Sequence, residues 1–457
     1  MAVRAVILAA GAGTRMKSDL PKVLHAVAGR PMISWVLKAV RAMEPDQIVV
    51  VIGANGDQVR PFLGDDTDVV VQEQQLGTGH ATGLALGAIP SDGGDAILVA
   101  PGDVPLLVPS TLKELIGLHR RTGSAVSVLT AEVDDAGGYG RIQRDGWDRV
   151  VGIVEHVDAS ASQRQIREIN GGVYVFDSEL LAEALPKVEP NNVQGEYYLT
   201  DVIEILGAEG HPLHALKTAP SETAGVNSLA QLARVGALMR TRLNEALMAT
   251  GVSMQDPGRV YLDADVRIEP GAMLLPDVYL RGGTSVGAGA TVGPDVTAED
   301  SVIGPGAHVW YSVLRGAEVG EGVEVGPYAS LRPGTVLRKG SKVGTFVETK
   351  KSTVGEGAKV PHLSYIGDAQ VGRDANIGAG TITCNYDGIA KHETIIGDRA
   401  FIGSDTMLVA PVTIGDDAVT GAGSTITKDV QPGALALERS VQKEIPDYAA
   451  RRRRRES

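Results

Sequence analysis

The sequence predicts two fold classes in one chain: an α/β domain over residues 1–227 and a parallel β-solenoid over residues 249–457, joined by one amphipathic helix at 228–248. Three observations carry this. Up to about residue 227, short apolar runs alternate with segments of helical spacing. From about residue 260, aliphatic residues recur at every sixth position. Between the two, Leu229, Leu232, Val235, Met239, Leu243 and Leu247 repeat at threes and fours, the stripe of one helix.

In the first part, strand-length apolar runs stand at Ala5–Leu8, Ile48–Ile52, Ala96–Val99, Ala125–Leu129 and Val173–Phe176. Pro31–Met43 and Ser110–Arg121 have helical spacing. Alternation of this kind predicts a mainly parallel sheet covered by helices. In the last part, one phase runs Val319, Val325, Leu331, Leu337, Val343, and a later one Ile396, Ile402, Leu408, Ile414, with Ile426 two periods on. A period of six fits neither a helix nor the two-residue alternation of a sandwich strand. It fits a coil with three flat faces, eighteen residues per turn, in which every sixth side chain points inward. Abundant glycine and 4% aromatic residues suit tight corners and a narrow core. The period breaks at Tyr365–Gly372 and over Asn385–His392, and such breaks mark loops where sites tend to sit.

The 457 residues are 43% hydrophobic and carry a formal net charge of −13. An acidic chain without a long basic stripe argues against nucleic acid as the main partner. The exception, Arg451–Arg455, reads as a solvated tail. A single cysteine, Cys384, excludes an internal disulfide and suits a reducing cytoplasm. Apolar runs fall short of membrane-spanning length. The first residues have some features of a signal peptide but read better as a buried strand entering a glycine loop.

That loop is Leu8-Ala9-Ala10-Gly11-Ala12-Gly13-Thr14-Arg15-Met16. Glycines let backbone N–H groups approach phosphate oxygens. Arg15 and Lys22 supply two cations against the charge that builds as a phosphoryl bond breaks. Asp103 follows the strand Ala96–Val99, at the edge where open α/β sheets bind ligands.

The full loop resembles the signature of sugar-1-phosphate nucleotidyltransferases. Further segments extend the likeness over nearly the whole chain: Gln75-Leu76-Gly77-Thr78-Gly79-His80, Gly102-Asp103-Val104-Pro105-Leu106, Tyr139-Gly140-Arg141 and Asn192–Asp201. In order and spacing they are similar to the family of bifunctional N-acetylglucosamine-1-phosphate uridyltransferases/glucosamine-1-phosphate acetyltransferases. The resemblance implies a Rossmann-like N-terminal domain and a left-handed β-helix. It implies that Leu8, Ala9, Ala10, Gly11, Lys22 and Gly102 bind the nucleotide, that Gln72, Gly77 and Thr78 contact uracil, and that Gly140, Glu155 and Asn170 hold the sugar. Asp103 and Asn227 would bind Mg²⁺, a cation content with few protein oxygens because it keeps waters and phosphates. Glu155-His156-Val157-Asp158 departs from the family, which more often has Gln-Lys or a similar polar pair after this Glu.

In the solenoid, Lys359-Val360-Pro361-His362-Leu363-Ser364-Tyr365-Ile366-Gly367 precedes a period break, and Gly378–Gly388 follows shortly after. A histidine suits removal of an amine proton near neutral pH. By the same resemblance His362 is the general base, and Arg332 and Lys350 bind the phosphate of glucosamine 1-phosphate. Tyr365 and Asn376 bind its sugar, and Ala379, Asn385, Tyr386, Ser404, Ala422 and Arg439 line the acetyl-CoA site. Cys384 invites an acyl-enzyme reading, but an amine attacks a thioester directly and nothing nearby in sequence activates the thiol. A flat solenoid face cannot enclose a cofactor alone, and members of this family are trimers, so a homotrimer is expected. The expected reactions are acetylation of glucosamine 1-phosphate, then uridylyl transfer from UTP to N-acetylglucosamine 1-phosphate with release of pyrophosphate. The set His362, Asn385-Tyr386 and Arg332/Lys350 speaks against the competing reading, a nucleotidyltransferase whose β-helix only oligomerises or binds regulators.

Overall fold

The computed structural model describes residues 2–11, 13–54, 56–90 and 94–456, so Ala12 of the glycine loop and Met1 of the N-terminal segment lie outside the described residues. The chain divides into two compact units, one up to Met239 and one from Arg240. The division falls inside the helix Leu229–Ala249.

The first unit is built on a mixed sheet. Its strands are β1 (Val3–Ala9), β2 (Gln47–Gly53), β3 (Asp68–Gln72), β4 (Ala96–Pro101), β5 (Val126–Glu132), β6 (Arg141–Arg144), β7 (Val150–Val154), β8 (Glu168–Asp177) and β9 (Leu213–Thr218). They lie in the order β9-β5-β8-β4-β1-β2-β3, with the β6–β7 hairpin attached to β8. The run β4-β1-β2-β3 is parallel. β8, which contains the apolar run Val173–Phe176, enters antiparallel between β4 and β5. β1 reads as a continuous apolar run because both of its faces are covered: Ala5 and Ile7 pack on one side with Ile33, Val36 and Leu37, and Val6 on the other with Ala81 and Ala85. The C-terminal ends of β1, β2, β3 and β4 therefore open on one edge, and a register shift between Asn170 and Tyr174 re-aims the middle of β8 toward it.

The second unit is a coil of short strands that pair with every third strand to give three all-parallel sheets of eleven, ten and nine described strands. Pairing steps such as Val260↔Val278 and Val278↔Val296 repeat the eighteen-residue turn. Val319, Val325, Leu331, Leu337 and Val343 all point inward, as do Ile396, Ile402, Leu408, Ile414 and Ile426. Several buried hydroxyls bond along the coil: Thr335 bonds Thr349 (3.0 Å), and Thr383 accepts from the Gly367 N–H (2.7 Å), whereas the buried Ser341 and Thr394 hydroxyls find no partner. Where Ile382 pairs with Met407 the turn is longer, because residues 385–392 leave the coil as a loop closed by a Tyr386–Lys391 bridge. The basic tail is helical over Tyr448–Glu456, with Arg451–Arg454 exposed. Among the described residues no helix is long and apolar enough to cross a membrane.

Candidate active sites

In the first unit the glycine loop leaves β1 and turns at Gly13, which has φ +61. A Cβ there would stand 2.8 Å from the Lys22 Cβ, so the glycine is what lets Lys22 pack under the loop. Lys22 then reaches across the sheet edge. Its ammonium donates to Asp103 Oδ2 (2.6 Å) and to Asn227 Oδ1 (3.0 Å). Backbone bonds hold this meeting in place: the Gly102 N–H donates to Leu8 O (2.9 Å) and the Val226 N–H to Asp103 O (3.1 Å). The Asp103 residue is 8% exposed, so the ion pair sits in a recess at the sheet edge. Two oxygens, one charged, thus converge on a single cation position. Arg15 stands apart, exposed on the one-turn helix Thr14–Met16.

On one side of this recess are the residues expected at the base. Gln72, at the end of β3, donates to Gly77 O (3.1 Å) and its amide nitrogen lies 2.9 Å from His80 Nδ1. Gly77 has φ +107, and a Cβ on it would come within 2.5 Å of Tyr197 O. The Thr78 hydroxyl accepts the Leu199 N–H (3.0 Å) and so caps the helix Leu199–Ala208. Gln75, which carries no contact role by resemblance, donates to Ala10 O (2.6 Å) and ties the glycine loop to this turn.

A second group is Gly140, Glu155 and Asn170, which pack against one another. The Asn170 N–H donates to Gly140 O (2.9 Å), and its side-chain amide donates to the Tyr174 hydroxyl (2.6 Å) while accepting the Gly172 N–H (3.0 Å). Glu155 accepts from the Thr200 hydroxyl (3.3 Å). Burial pushes its carboxyl above the usual range, Thr200 opposes this, and the charges of Asp158 and Asp201 add to it. Burial, with Glu204 and Asp158, pushes Asp201 up to about 6.

In the second unit the candidate residues lie on the outside of the coil. Ser330, Glu348, Tyr365 and Ile382 are stacked in register on one sheet, with Arg332 and Lys350 two places on from Ser330 and Glu348. Arg332 pairs with Glu348 (2.8 Å). Lys350 has a like-charged neighbour, Lys391, which holds its ammonium below the usual range; Arg332 adds to this and Asp368 opposes it. Three cations so crowded favour an anion with several oxygens. Lys391 was not legible as part of this group. It arrives from the far end of the 385–392 loop, and its only sequence signal was that the loop leaves the period.

Asn385, at the loop's start, donates to Asp368 Oδ2 (2.5 Å) and approaches the Tyr365 hydroxyl (3.5 Å). Tyr386 is exposed and donates to Gly388 O (2.7 Å). His362 ends a strand of the adjacent sheet and is exposed. Its carbonyl accepts the Gly380 N–H (3.3 Å). From there one corner continues coil by coil through Ala379, Ser404 and Ala422: the Asp405 N–H donates to Ala379 O (2.7 Å), the Gly423 N–H to Ser404 O (2.8 Å), and the Arg439 guanidinium to Ala422 O (3.0 Å). Asn376 lies on the same sheet as His362, paired with Lys359. Burial pushes the Cys384 thiol up, away from the thiolate a nucleophile needs.

The MobA-like NTP transferase domain family matches residues 5–243, and the bacterial transferase hexapeptide (six repeats) family matches residues 393–428. The chain is similar to the bifunctional protein GlmU of Carboxydothermus hydrogenoformans, at 49% identity over 97% of this chain and 99% of the relative. It is 49% identical to the GlmU of Streptomyces avermitilis, covering 98% of this chain and 94% of the relative. It is 46% identical to that of Mycobacterium tuberculosis strain H37Ra, covering 98% and 92%.

Proposed function

The chain belongs to the family of the bifunctional protein GlmU, whose uridyltransferase and acetyltransferase make UDP-N-acetylglucosamine, and on that premise we propose which of its residues carry each step. The solenoid acts first. His362 takes the proton of the glucosamine 1-phosphate amine as its nitrogen bonds the acetyl carbon of acetyl-CoA; the thioester C–S bond breaks and coenzyme A leaves. Arg332 and Lys350 bind the sugar phosphate, with Tyr365 and Asn376 on the sugar. Asn385, Tyr386 and the corner Ala379, Ser404, Ala422 and Arg439 receive acetyl-CoA.

The N-terminal unit acts second. An oxygen of N-acetylglucosamine 1-phosphate attacks the α-phosphorus of UTP and pyrophosphate leaves. Leu8–Gly11 and Gly102 cradle the phosphates, and Lys22 and Arg15 neutralise charge. Gln72, Gly77 and Thr78 hold uracil; Gly140, Glu155 and Asn170 hold the sugar. Asp103 and Asn227 suit Mg²⁺: both offer oxygen, and they already converge on one cation, the Lys22 ammonium, at 2.6 and 3.0 Å. Bound there, Mg²⁺ supplies charge neutralisation to the phosphates.

We also read the chain as a cytoplasmic homotrimer. The support for the trimer is the exposure of His362 and an apolar ridge beside it, in which the rings of Tyr311, Tyr328 and Phe346 meet on successive coils and Leu363 continues them; the single cysteine suits the cytoplasm. A neighbouring solenoid against this ridge would wall in the acetyl-CoA corner; a monomeric mass by sedimentation equilibrium would contradict it.

The observation that carries the two-site assignment is the meeting of Lys22, Asp103 and Asn227 in one unit and, in the other, the register that stacks Glu348 and Tyr365 on one solenoid sheet with Arg332 and Lys350 beside them. His362→Ala should abolish acetyl transfer and spare uridylyl transfer, and Asp103→Asn should do the reverse. Joint loss of both activities in either variant, with circular dichroism unchanged, would overturn it.

A further inference from the structure

One segment, residues 192–200, links two groups of candidate residues in the N-terminal unit, the Leu76–Gly79 turn and Glu155. Its stem is bonded to the Leu76–Gly79 turn. The Tyr197 N–H donates to Leu76 O (2.8 Å), the Gly79 N–H to Tyr197 O (2.8 Å), and the Leu199 N–H to the Thr78 hydroxyl (3.0 Å). Its end reaches Glu155, where the Thr200 hydroxyl donates to Oε1 (3.3 Å). The tip is a tight loop organised by Asn192, whose Oδ1 accepts the N–H groups of Gln194 and Glu196 (both 3.2 Å) and whose Nδ2 donates to Glu196 O (2.6 Å). The Tyr198 hydroxyl closes it on Gln194 Oε1 (2.6 Å).

Val193, at the tip, is 77% exposed, so apolar burial does little to hold the tip down. A hydrogen bond does: Asp158 Oδ1 accepts the Val193 N–H at 3.0 Å. Asp158 is itself mounted on the turn that follows Glu155, its N–H donating to Glu155 O (3.1 Å). The strap is thus fastened to the sugar-side wall at two points, by Thr200 on the Glu155 carboxylate and by Asp158 on the tip.

We propose that Asp158 is a positioning residue for uridylyl transfer: it pins the tip of the 192–200 strap to the turn bearing Glu155, and so fixes the Gly77–Thr78 turn relative to the Glu155 carboxylate. The inference rests on the reading of Glu155 as a sugar contact and of Gly77 and Thr78 as base contacts. In-line attack requires the sugar phosphate and the nucleotide to be held in one frame, and small misplacements are costly. Without its pin the strap must be ordered again each time the sugar phosphate binds, which weakens binding more than it slows chemistry. The contact needs an acceptor oxygen and has no need of the charge, so Asn, which keeps the oxygen, separates a pin from an electrostatic effect.

The test uses the full chain. In Asp158→Ala the KM for N-acetylglucosamine 1-phosphate at saturating UTP should rise about tenfold, with kcat within about threefold of the parent and acetyl transfer unchanged. Hydrogen exchange across 190–198 should quicken. Asp158→Asn should hold KM within about threefold and restore the slow exchange. An unmoved KM in Asp158→Ala, or an Asn variant as impaired as the Ala variant, would overturn the proposal. If the parent chain itself gave no uridylyl transfer to this sugar phosphate, the site assignment would fall; exchange in Asp158→Ala would still decide the pin.

Discussion

Lys22→Met removes one charge and keeps most of the aliphatic stem. The Lys22 and Asp103 side chains are 16% and 11% exposed, and their contact is 2.6 Å. Removing one partner of a fully buried ion pair costs about 3–5 kcal/mol, because the other charge is left without compensation. Here water reaches the recess, and the Asn227 oxygen loses its donor as well, so about 2 kcal/mol is the expected cost. Amide exchange in β4 reads it without interference from the solenoid: in EDTA the opening free energy of Ala96–Pro101 should fall by about that amount. Mg²⁺ should then restore more stability to the variant than it adds to the parent, since in the parent it must first displace the ammonium from Asp103. Uridylyl transfer should fall at least about a hundredfold in kcat/KM, roughly 2.7 kcal/mol of transition-state stabilisation, with acetyl transfer intact. An unchanged opening energy in EDTA, or equal Mg²⁺ responses in the two proteins, would refute the reasoning.

Two further substitutions test chemistry and pH dependence. Cys384→Ser should keep acetyl transfer within about twofold, because burial holds the thiol protonated; a loss of several orders of magnitude would favour an acyl-enzyme. Asp201 titrates at about 6 when folded against an ordinary 3.8. Between those values the folded chain keeps a proton that the unfolded chain has released, so stability falls as pH rises through the window. Asp201→Asn should therefore raise stability at pH 8, by about 1 kcal/mol once solvent screening is allowed for, and leave it unchanged below pH 4. Thermal unfolding of the two proteins across pH 4–8 checks the sign, and a variant less stable at pH 8 would contradict it.

The solenoid was legible because its period is a local property: Val319, Val325 and Leu331 point inward for the same reason that they recur every six residues. The β1–β4 core was legible because doubly covered strands are continuous apolar runs. β3 and the β6–β7 hairpin were not, since Asp68–Gln72 lies at the sheet's edge and the hairpin carries Arg141, Gln143 and Arg144 among its apolar residues. Nor could periodicity show that the run Val173–Phe176 would enter antiparallel, because its pattern is the same in either direction. The candidate residues of each site come from resemblance, and what brings some of them together is a matter of long-range bonds. Asn227 reaches Lys22 because Val226 is tied to Asp103, and Lys391 reaches Lys350 because the loop after Asn385 folds back on itself. No spacing rule encodes either contact. Asp158 was visible only as the residue after the His156-Val157 pair that departs from the family, and no local pattern encodes its bond to the Val193 N–H.

The most direct test of two consecutive reactions on one chain is a product assay with glucosamine 1-phosphate, acetyl-CoA, UTP and Mg²⁺, omitting each in turn. With all four present, UDP-N-acetylglucosamine and pyrophosphate should form. Without UTP, N-acetylglucosamine 1-phosphate should accumulate; without acetyl-CoA, no nucleotide sugar should appear. UDP-glucosamine as the main product in the absence of acetyl-CoA would contradict the proposed order.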